Sequence, residues 1–143
     1  MTITPEQERY LARARVARLA TADERGRPHI VPVCFAYEQG SFYTAIDLKP
    51  KAASPARLRR VRNISQNPQV ALLIDHYEEE WDNLSYLLVR ATASVVEGED
   101  ERMHAVRALR AKYEQYRTLL GDDALVIRLV PTRVSAWAAT GCL

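Results

Sequence analysis

The sequence is poor in glycine and lacks the glycine-rich motifs that bind phosphate. It has five glycines among 143 residues, and neither the GxxxxGK[ST] spacing of a P-loop nor the GxGxxG spacing of a dinucleotide-binding turn occurs. No GxSxG elbow marks a hydrolase serine. These absences argue against the common nucleotide-binding folds and against a serine hydrolase.

Metal ligands and cysteines are also scarce. The three histidines, His29, His76 and His104, lack metal-binding spacing, and no CxxC pair occurs, so we expect no metal site. The two cysteines, Cys34 and Cys142, cannot form a disulfide scaffold, which favours a reducing cytoplasm, and Cys34 is predicted to be a small core residue. If the chain is an enzyme, a bound cofactor is expected to carry its chemistry.

Long apolar runs are missing too. No segment approaches the ~20 apolar residues of a membrane-spanning helix, and the N-terminal sequence lacks the features of a signal peptide. The net charge of +2 creates no field that would require a nucleic acid or a membrane surface. With 48% hydrophobic and 27% charged residues, residues 1–143 are expected to form one globular domain.

Short segments with strand periodicity dominate the chain. The pattern predicts a mainly β protein: an antiparallel barrel with peripheral helices, without βαβ alternation. Predicted helices cover 5–14, 54–66 and 99–117, and predicted strands cover 16–22, 29–37, 42–46, 70–74, 86–97, 125–130 and 133–137.

A basic block follows the third predicted strand. Six cationic side chains lie between residues 49 and 62 with no carboxylate among them: Lys49, Lys51, Arg57, Arg59, Arg60 and Arg62. A basic turn that leads into a helix N-terminus can bind an anion, because lysine charge and unpaired amides point at one spot. The alternatives are a solvated helix face and a nucleic-acid contact, and the net charge argues against the latter.

Arg57, within this block, and Pro32, in the second predicted strand, are candidates for contact with a ligand. On a helical wheel built on Leu58, Val61 and Ile64, Arg57 lies beside the inner face, whereas Arg59 and Arg60 point outward. Pro32 cannot donate a hydrogen bond within its strand, which indicates a bulge, a sheet edge or the approach of a planar ligand.

Three motifs carry a resemblance to a known family. They are the G-x-P-x-x-x-P-V-x-F run of residues 26–35, the TAIDLKPK turn of residues 44–51, and the N-I-x-x-N-P-x-V run of residues 63–70. The chain resembles the split β-barrel proteins related to pyridoxamine 5′-phosphate oxidase, and is most similar to their coenzyme F420-dependent branch from actinobacteria. The resemblance covers nearly the whole chain.

The resemblance implies a fold, an assembly and a set of cofactor contacts. The fold would be an antiparallel split barrel of Greek-key type, paired as a homodimer with cofactor sites at the interface. The cofactor would be F420, with FMN as the alternative. Its contacts would be Pro32 and Val33 along the ring, Thr44, Ile46 and Asp47 along the ribityl chain, Lys49, Lys51 and Arg57 at the phosphate, and Trp81 as a cover.

The implied activity is the transfer of a hydride between reduced deazaflavin and a small conjugated substrate. The alternatives are an FMN-dependent oxidoreductase and a non-catalytic carrier of flavin, F420 or haem. The sequence ends in WAATGCL, without the arginine-containing segment of the oxidase proper, so we do not expect pyridoxamine phosphate oxidation. The proton donor, other catalytic residues and the substrate stay unassigned.

Overall fold

Seven strands and four helices form from residues 3–47, 58–141 and 143, the part of the chain that the computed structural model describes. The helices are α1 (Pro5–Arg13), α2 (Arg59–Gln66), α3 (Glu99–Lys112) and α4 (Tyr116–Leu119). The strands are β1 (Ala17–Ala22), β2 (Pro28–Val33), β3 (Ala36–Glu38), β4 (Ser41–Ala45), β5 (Gln69–His76), β6 (Ser85–Val95) and β7 (Val126–Ala138).

The strands form one antiparallel sheet in the order β2-β1-β5-β6-β7-β4-β3. Strands β2 and β3 lie at opposite edges of this sheet, yet only Cys34 and Phe35 separate them in sequence. Such a short connection draws the two edges together, so the sheet curls into a half-barrel. The predicted mainly β split-barrel fold is confirmed.

The second predicted strand, residues 29–37, is wrong in its extent. It is two strands, because β2 pairs with β1 whereas β3 pairs with β4. The break at Phe35 is fixed by a distant residue: the Phe35 N–H donates to the Tyr113 hydroxyl at 3.1 Å, and that hydroxyl also lies 3.3 Å from the Phe35 carbonyl oxygen. Pro32 lies on edge strand β2, which confirms the edge interpretation of this proline.

Two cores stabilise the curled sheet. The first fills the inside of the barrel with alternate side chains, of which Leu19, Phe42, Leu72, Leu87, Val89 and Leu129 are almost fully buried. The second lies between α3 and the opposite faces of β3, β4 and β7, and includes Tyr43, Val106, Leu109 and Val126. Strand β4 therefore buries both of its faces.

The first helix forms as predicted, because its N-terminus is fully capped. The Thr4 hydroxyl accepts from the Gln7 N–H at 3.1 Å, and the Gln7 side chain accepts from the Thr4 N–H at 3.0 Å. Pro5 occupies the first turn, where a missing N–H costs nothing. Leu11 anchors the helix in the barrel core, with Tyr10 and Ala14 beside it.

The last predicted helix and strands also differ from the structure. The helix predicted over residues 99–117 ends at Lys112, because Tyr113 is extended, and a separate short helix begins at Tyr116. The two strands predicted around Pro131 and Thr132 are one strand, β7. A register shift opposite Arg90 and Ala91 accommodates the proline, so pairing with β6 continues on both sides of it.

A charged cluster joins α3 to the sheet and makes stability depend on pH. Glu101 accepts from the Tyr43 hydroxyl at 2.7 Å and from Arg128 at 2.9 and 3.0 Å. The Tyr43 hydrogen bond, and then Arg128, hold the pKa of Glu101 below its ordinary value of 4.5. Stability from a lowered carboxyl pKa is complete above the ordinary value and is lost as pH falls through the folded-state pKa.

We therefore expect Glu101→Gln to lower the free energy of unfolding at neutral pH by about 1 kcal/mol. The effect is small because Glu101 and Arg128 are partly exposed, so solvent screens their attraction. The difference from the wild type should shrink as the pH falls below 4.5. Thermal unfolding at several pH values measures this difference. Glu97→Gln is the control, because Glu97 is an exposed glutamate. A difference that does not change with pH would contradict the charge-based explanation.

None of the helices in the described ranges is long and apolar enough to cross a membrane.

Candidate functional site

A cavity of about 260 Å³ lies where the end of β2, the end of β4, α2 and α4 meet. We call it the Arg60 cavity. The described residues that line it are Val16, Pro32, Val33, Cys34, Thr44, Ala45, Asp47, Arg60 and Tyr116. Strand β2 contributes through its final residues, and β4 contributes through a stretch that the second core holds rigid.

The structure brings four of the predicted site residues together in this cavity: Pro32, Val33, Thr44 and Asp47. Ile46 does not line it, because its side chain is buried in the barrel core, and its N–H donates to the Leu125 carbonyl at 2.9 Å.

Of the other predicted contacts, Trp81 lies away from this cavity and three are not among the described residues. Trp81 lies in a single 3₁₀ turn, Trp81–Asn83, is 64% exposed and does not line the Arg60 cavity. Lys49, Lys51 and Arg57 fall outside the described residues, so their place at a phosphate stays a prediction.

Arg60 is the residue that the helical wheel misplaced. It was expected to point outward with Arg59, but it is half-buried and lines the cavity. Leu58 is the extended residue before the helix begins, so including it rotated the wheel away from the true buried face. That face also includes Asn63, whose amide donates to the Thr21 hydroxyl at 3.0 Å.

The Arg60 guanidinium is poorly satisfied. Its Nε is buried and has no hydrogen-bond partner among the residues that the structure describes. Burial lowers the pKa of Arg60, whereas the negative charge of Asp47 opposes that shift. An arginine stays protonated in proteins, so the cavity wall includes a positive charge, which favours an anionic ligand.

Tyr116 and Cys34 are two further cavity residues that sequence reasoning did not find. The Tyr116 hydroxyl donates to Asp47 Oδ2 at 3.3 Å. Burial raises the pKa of Tyr116, and the neighbouring Cys34 and Asp47 raise it further, so the phenol is protonated at neutral pH. Cys34, expected to be a core residue, is half-buried on the cavity wall.

A smaller cavity, with acidic and basic side chains in its lining, also includes residues of α2. We call it the Arg59 cavity. It has a volume of about 200 Å³, and Asp23, Arg27, His29, Arg59 and Asn63 contribute to its lining. The Asn63 Oδ1 is buried without a hydrogen-bond partner in the described chain, and Arg27 pairs with Asp23 at 2.6 Å.

The Arg60 and Arg59 cavities each include a residue from the first turn of α2, and this turn has an unusual sequence. Helix α2 opens with Arg59 and Arg60, has no acidic residue in its first turn, and gains no side-chain hydrogen bond from its N-cap residue Leu58. Positive side chains oppose the positive end of the helix dipole, unless an anion lies nearby. Within the described ranges no group of three metal-ligating side chains is found.

Comparison with known proteins identifies related sequences and folds. The sequence model of the family described as pyridoxamine 5′-phosphate oxidase matches residues 3–138. A 5a,11a-dehydrotetracycline/5a,11a-dehydrooxytetracycline reductase of Streptomyces rimosus is 27% identical over 149 aligned positions, which cover 100% of this chain and 88% of the reductase.

Solved structures of the same fold include a haem storage protein and a protein described as F420 reductase. HutZ, the haem storage protein of Vibrio cholerae, superposes with a TM-score of 0.70 at 23% identity, covering 96% of this chain and 95% of HutZ. A structure described as F420 reductase superposes with a TM-score of 0.63 at 23% identity, covering 90% of this chain and 94% of the other. At this level of identity the likeness shows a shared fold.

Proposed function

This chain belongs to the pyridoxamine 5′-phosphate oxidase family, and on that premise we propose that it is an oxidoreductase that binds coenzyme F420 in the Arg60 cavity. The alternative cofactor is FMN. The observation that carries the proposal is the buried Arg60 Nε without a partner in the described chain, in a cavity that also contains Pro32 and Val33. An anionic ligand with a flat ring fits this combination of charge and exposed strand edge.

Different residues of the chain would contact different parts of the cofactor. Arg60 would donate to the anionic part of the cofactor, together with Lys49, Lys51 and Arg57 from the basic block. Pro32 presents no N–H, so the edge of β2 next to Val33 offers a less polar surface for a ring. Thr44 is almost fully buried and would accept or donate one hydrogen bond at a fixed position.

The distribution of positive charge favours F420 over FMN. FMN has one phosphate, whereas F420 has a phosphate and an anionic polyglutamate tail. The Arg59 cavity, in which Asp23 pairs with Arg27, adds the positive charge of Arg59. The structural neighbour described as F420 reductase supports the same choice.

The substrate proposed here is a conjugated polycyclic ketone. The related Streptomyces reductase is named for dehydrotetracyclines, which are of this kind. When bound, the reduced cofactor supplies a hydride. The protein then has to orient the ring, exclude water and provide a proton, which is how a protein contributes to cofactor chemistry.

We also propose a homodimer that covers the outer face of the sheet. Tyr86 and Trp137 stack there with ring centroids 5.9 Å apart, yet are 38% and 46% exposed, and Ile30 on β2 is 62% exposed. Apolar surface of this kind is typical of a contact between copies. In that assembly Trp81 would cover the ring bound by the partner subunit.

The cofactor is tested by titrating the protein with F420, FMN and haem, with fluorescence and absorbance as readouts. We expect tight binding of F420, weak binding of FMN and no specific haem spectrum. Lys49→Ala combined with Lys51→Ala should weaken F420 binding without changing the melting temperature. Unchanged F420 and FMN affinities in this double variant would refute the phosphate assignment.

A non-catalytic carrier is the second candidate, favoured by the structural likeness to a haem storage protein. The same titration separates the two. A tight haem complex, with no oxidation of reduced F420 on addition of 5a,11a-dehydrotetracycline, would support the carrier. Oxidation of reduced F420 that requires both protein and substrate would support the oxidoreductase.

A further inference from the structure

A groove of about 410 Å³ lies between α1, β3 and α3, and we call it the Lys112 groove. Four alanines make up much of its wall, and its polar lining comes from Glu8, Tyr37, Glu38 and Lys112. None of its described lining residues belongs to the Arg60 cavity, to the Arg59 cavity or to the aromatic contact proposed for the homodimer. Its volume is within the usual range for small-molecule sites, and the proposed function does not use it.

The Lys112 amine contacts two groups of the barrel. Lys112 is the last residue of α3, and its Nζ donates to the Leu11 carbonyl at 2.9 Å and lies 3.7 Å from the centre of the Phe35 ring. Within the described ranges this is the one hydrogen bond of Nζ, and no carboxylate pairs with it. An ammonium has three donors. Because Lys112 and Leu11 both line the groove, a molecule bound there lies beside this amine.

The surroundings of Lys112 favour the neutral amine. Burial has the largest effect on the pKa of Lys112, the charge of Arg15 lowers it further, and Cys34 opposes the shift, so that the pKa falls from 10.5 to about 8. At pH 7.5 about a quarter of the amine is then neutral, against about one part in a thousand for an ordinary lysine. The neutral amine is the nucleophilic form.

Besides Lys112, the charged residues that line the described groove are acidic. They are Glu8 of α1 and Glu38 of β3. Strand β3 also contributes Tyr37, whose pKa is raised by burial and by Glu8, and the Tyr113 ring lies 5.4 Å from Nζ. Both phenols are neutral at pH 7.5. Two carboxylates at the groove repel anions, so the groove favours an uncharged ligand.

We infer that Lys112 is a covalent binding site for small uncharged aldehydes that enter this groove. The product is an imine between Nζ and the aldehyde carbon. The inference does not depend on the proposed cofactor, because the groove and the Arg60 cavity share no described residue.

Imine formation needs neither an oxidant nor a reductant. The neutral Nζ attacks the aldehyde carbon, an N–C bond forms, and one electron pair of the C=O bond moves to oxygen, which takes up a proton. The nitrogen loses a proton, the oxygen leaves as water, and a C=N bond forms. Amine and aldehyde thus give imine and water, and a proton from solvent converts the imine to an iminium cation.

An iminium cation keeps both contacts of Lys112. It retains one N–H for the Leu11 carbonyl and a positive charge over the Phe35 ring. Acylation would remove this charge and, with it, the attraction to the ring. The small side chains of Ala108 and Ala111 in the groove leave room for the substituent of the aldehyde. These contacts favour an aldehyde over an acylating agent.

The site is tested with benzaldehyde and sodium cyanoborohydride, which reduces the imine to a stable amine that peptide mass spectrometry locates. The chain has three lysines, so Lys112 is the only lysine left in Lys49→Ala combined with Lys51→Ala. At pH 7.5 we expect Lys112 of this variant to be labelled at least about tenfold faster than Nα-acetyllysine, because more of its amine is neutral. Labelling no faster than that of Nα-acetyllysine would overturn the inference.

Lys112→Arg in the same background is the matched control. Arginine keeps a positive charge over Phe35 and a donor for Leu11, but it stays protonated and is no nucleophile. We expect labelling at position 112 to disappear in this variant, and labelling that persists there would contradict attack by the Lys112 amine.

The pH dependence in wild-type protein is a second readout that needs no variant. The neutral fraction of the amine rises with pH, so the labelling rate at Lys112 should level off above about pH 8. The rate for Nα-acetyllysine should continue to rise to about pH 10. A Lys112 profile that follows the profile of Nα-acetyllysine would overturn the inference.

The preference for an uncharged ligand is tested with 4-carboxybenzaldehyde. Wild-type Lys112 should react at least about fivefold more slowly with this anion than with benzaldehyde at low salt, where charges are weakly screened. Nα-acetyllysine should react with the two aldehydes at similar rates. Glu8→Gln combined with Glu38→Gln should remove most of the difference at Lys112, with Glu97→Gln as control. Equal rates with the two aldehydes at wild-type Lys112 would contradict entry through this groove.

Discussion

Arg60→Gln is expected to raise the dissociation constant for F420 by about 10- to 100-fold. A hydrogen bond to a charged group contributes about 1.5–3 kcal/mol when its partner is buried, and each 1.4 kcal/mol is a factor of ten in affinity. The Arg60 Nε has no hydrogen-bond partner among the described residues and Arg60 lines the cavity, so no bond through that atom competes with a ligand for the guanidinium. Glutamine keeps part of the length of the side chain and removes the charge.

The matched control is Arg62→Gln on the same helix. Arg62 is exposed, so its loss removes the same charge without removing a group of the cavity. We expect Arg62→Gln to change the F420 dissociation constant by less than about threefold, and this change should vanish at high salt, because exposed charges are screened. Equal effects from the two variants would show that α2 attracts the cofactor by general charge and not by a contact of Arg60.

Tyr113→Phe is expected to lower the free energy of unfolding by about 2 kcal/mol. The hydroxyl accepts from the buried Phe35 N–H and lies near the carbonyl oxygens of Phe35 and Arg15. Phenylalanine leaves that N–H without a partner, and a buried donor without a partner costs about 1–3 kcal/mol. The pKa of Tyr113 is raised by burial to about 12, so the neutral hydroxyl is present at every pH used for stability measurements.

The loss should also reach the Arg60 cavity. Tyr113 holds Arg15 and Phe35, which flank Val16 and Cys34 on the wall of that cavity. We expect weaker F420 binding in Tyr113→Phe, with chemical denaturation as the stability measurement. Tyr37→Phe serves as control, since no hydrogen bond of the Tyr37 hydroxyl is found within the described ranges. A change below about 0.5 kcal/mol in Tyr113→Phe would contradict the anchoring role.

Sequence motifs predicted those elements that are determined by contacts between residues close in sequence. The Thr4–Pro5–Gln7 cap identifies α1 because its hydrogen bonds lie within three residues. The break between β2 and β3 has no such signal, since the pattern of residues 29–37 predicts one strand. It is fixed by Tyr113, far along the chain, so only the folded structure reveals it.

The last strand, β7, was also predicted wrongly because a contact distant in sequence determines it. Pro131 predicts a strand boundary when read alone, because proline lacks the N–H for pairing. In the sheet, β7 continues past it through a register shift against β6. That shift depends on the position of another strand, which periodicity does not report.

The candidate site was predictable where a motif identified it. Pro32, Val33, Thr44 and Asp47 follow from the family resemblance and do converge in the Arg60 cavity. Arg60 was present in the basic block but was placed outward, because the wheel counted a residue that precedes the helix. Tyr116 could not be predicted, since its partner Asp47 is distant in sequence.

The position of β7 in the sheet also governs when this protein can fold during synthesis. Strand β7 lies between β6 and β4, and Phe42 of β4 pairs with Leu129 of β7. The early β3–β4 hairpin therefore has no place in the sheet until residues 126–138 leave the ribosome. Pairings so distant in sequence form slowly, so we expect the nascent chain to expose the apolar face of that hairpin for most of its translation.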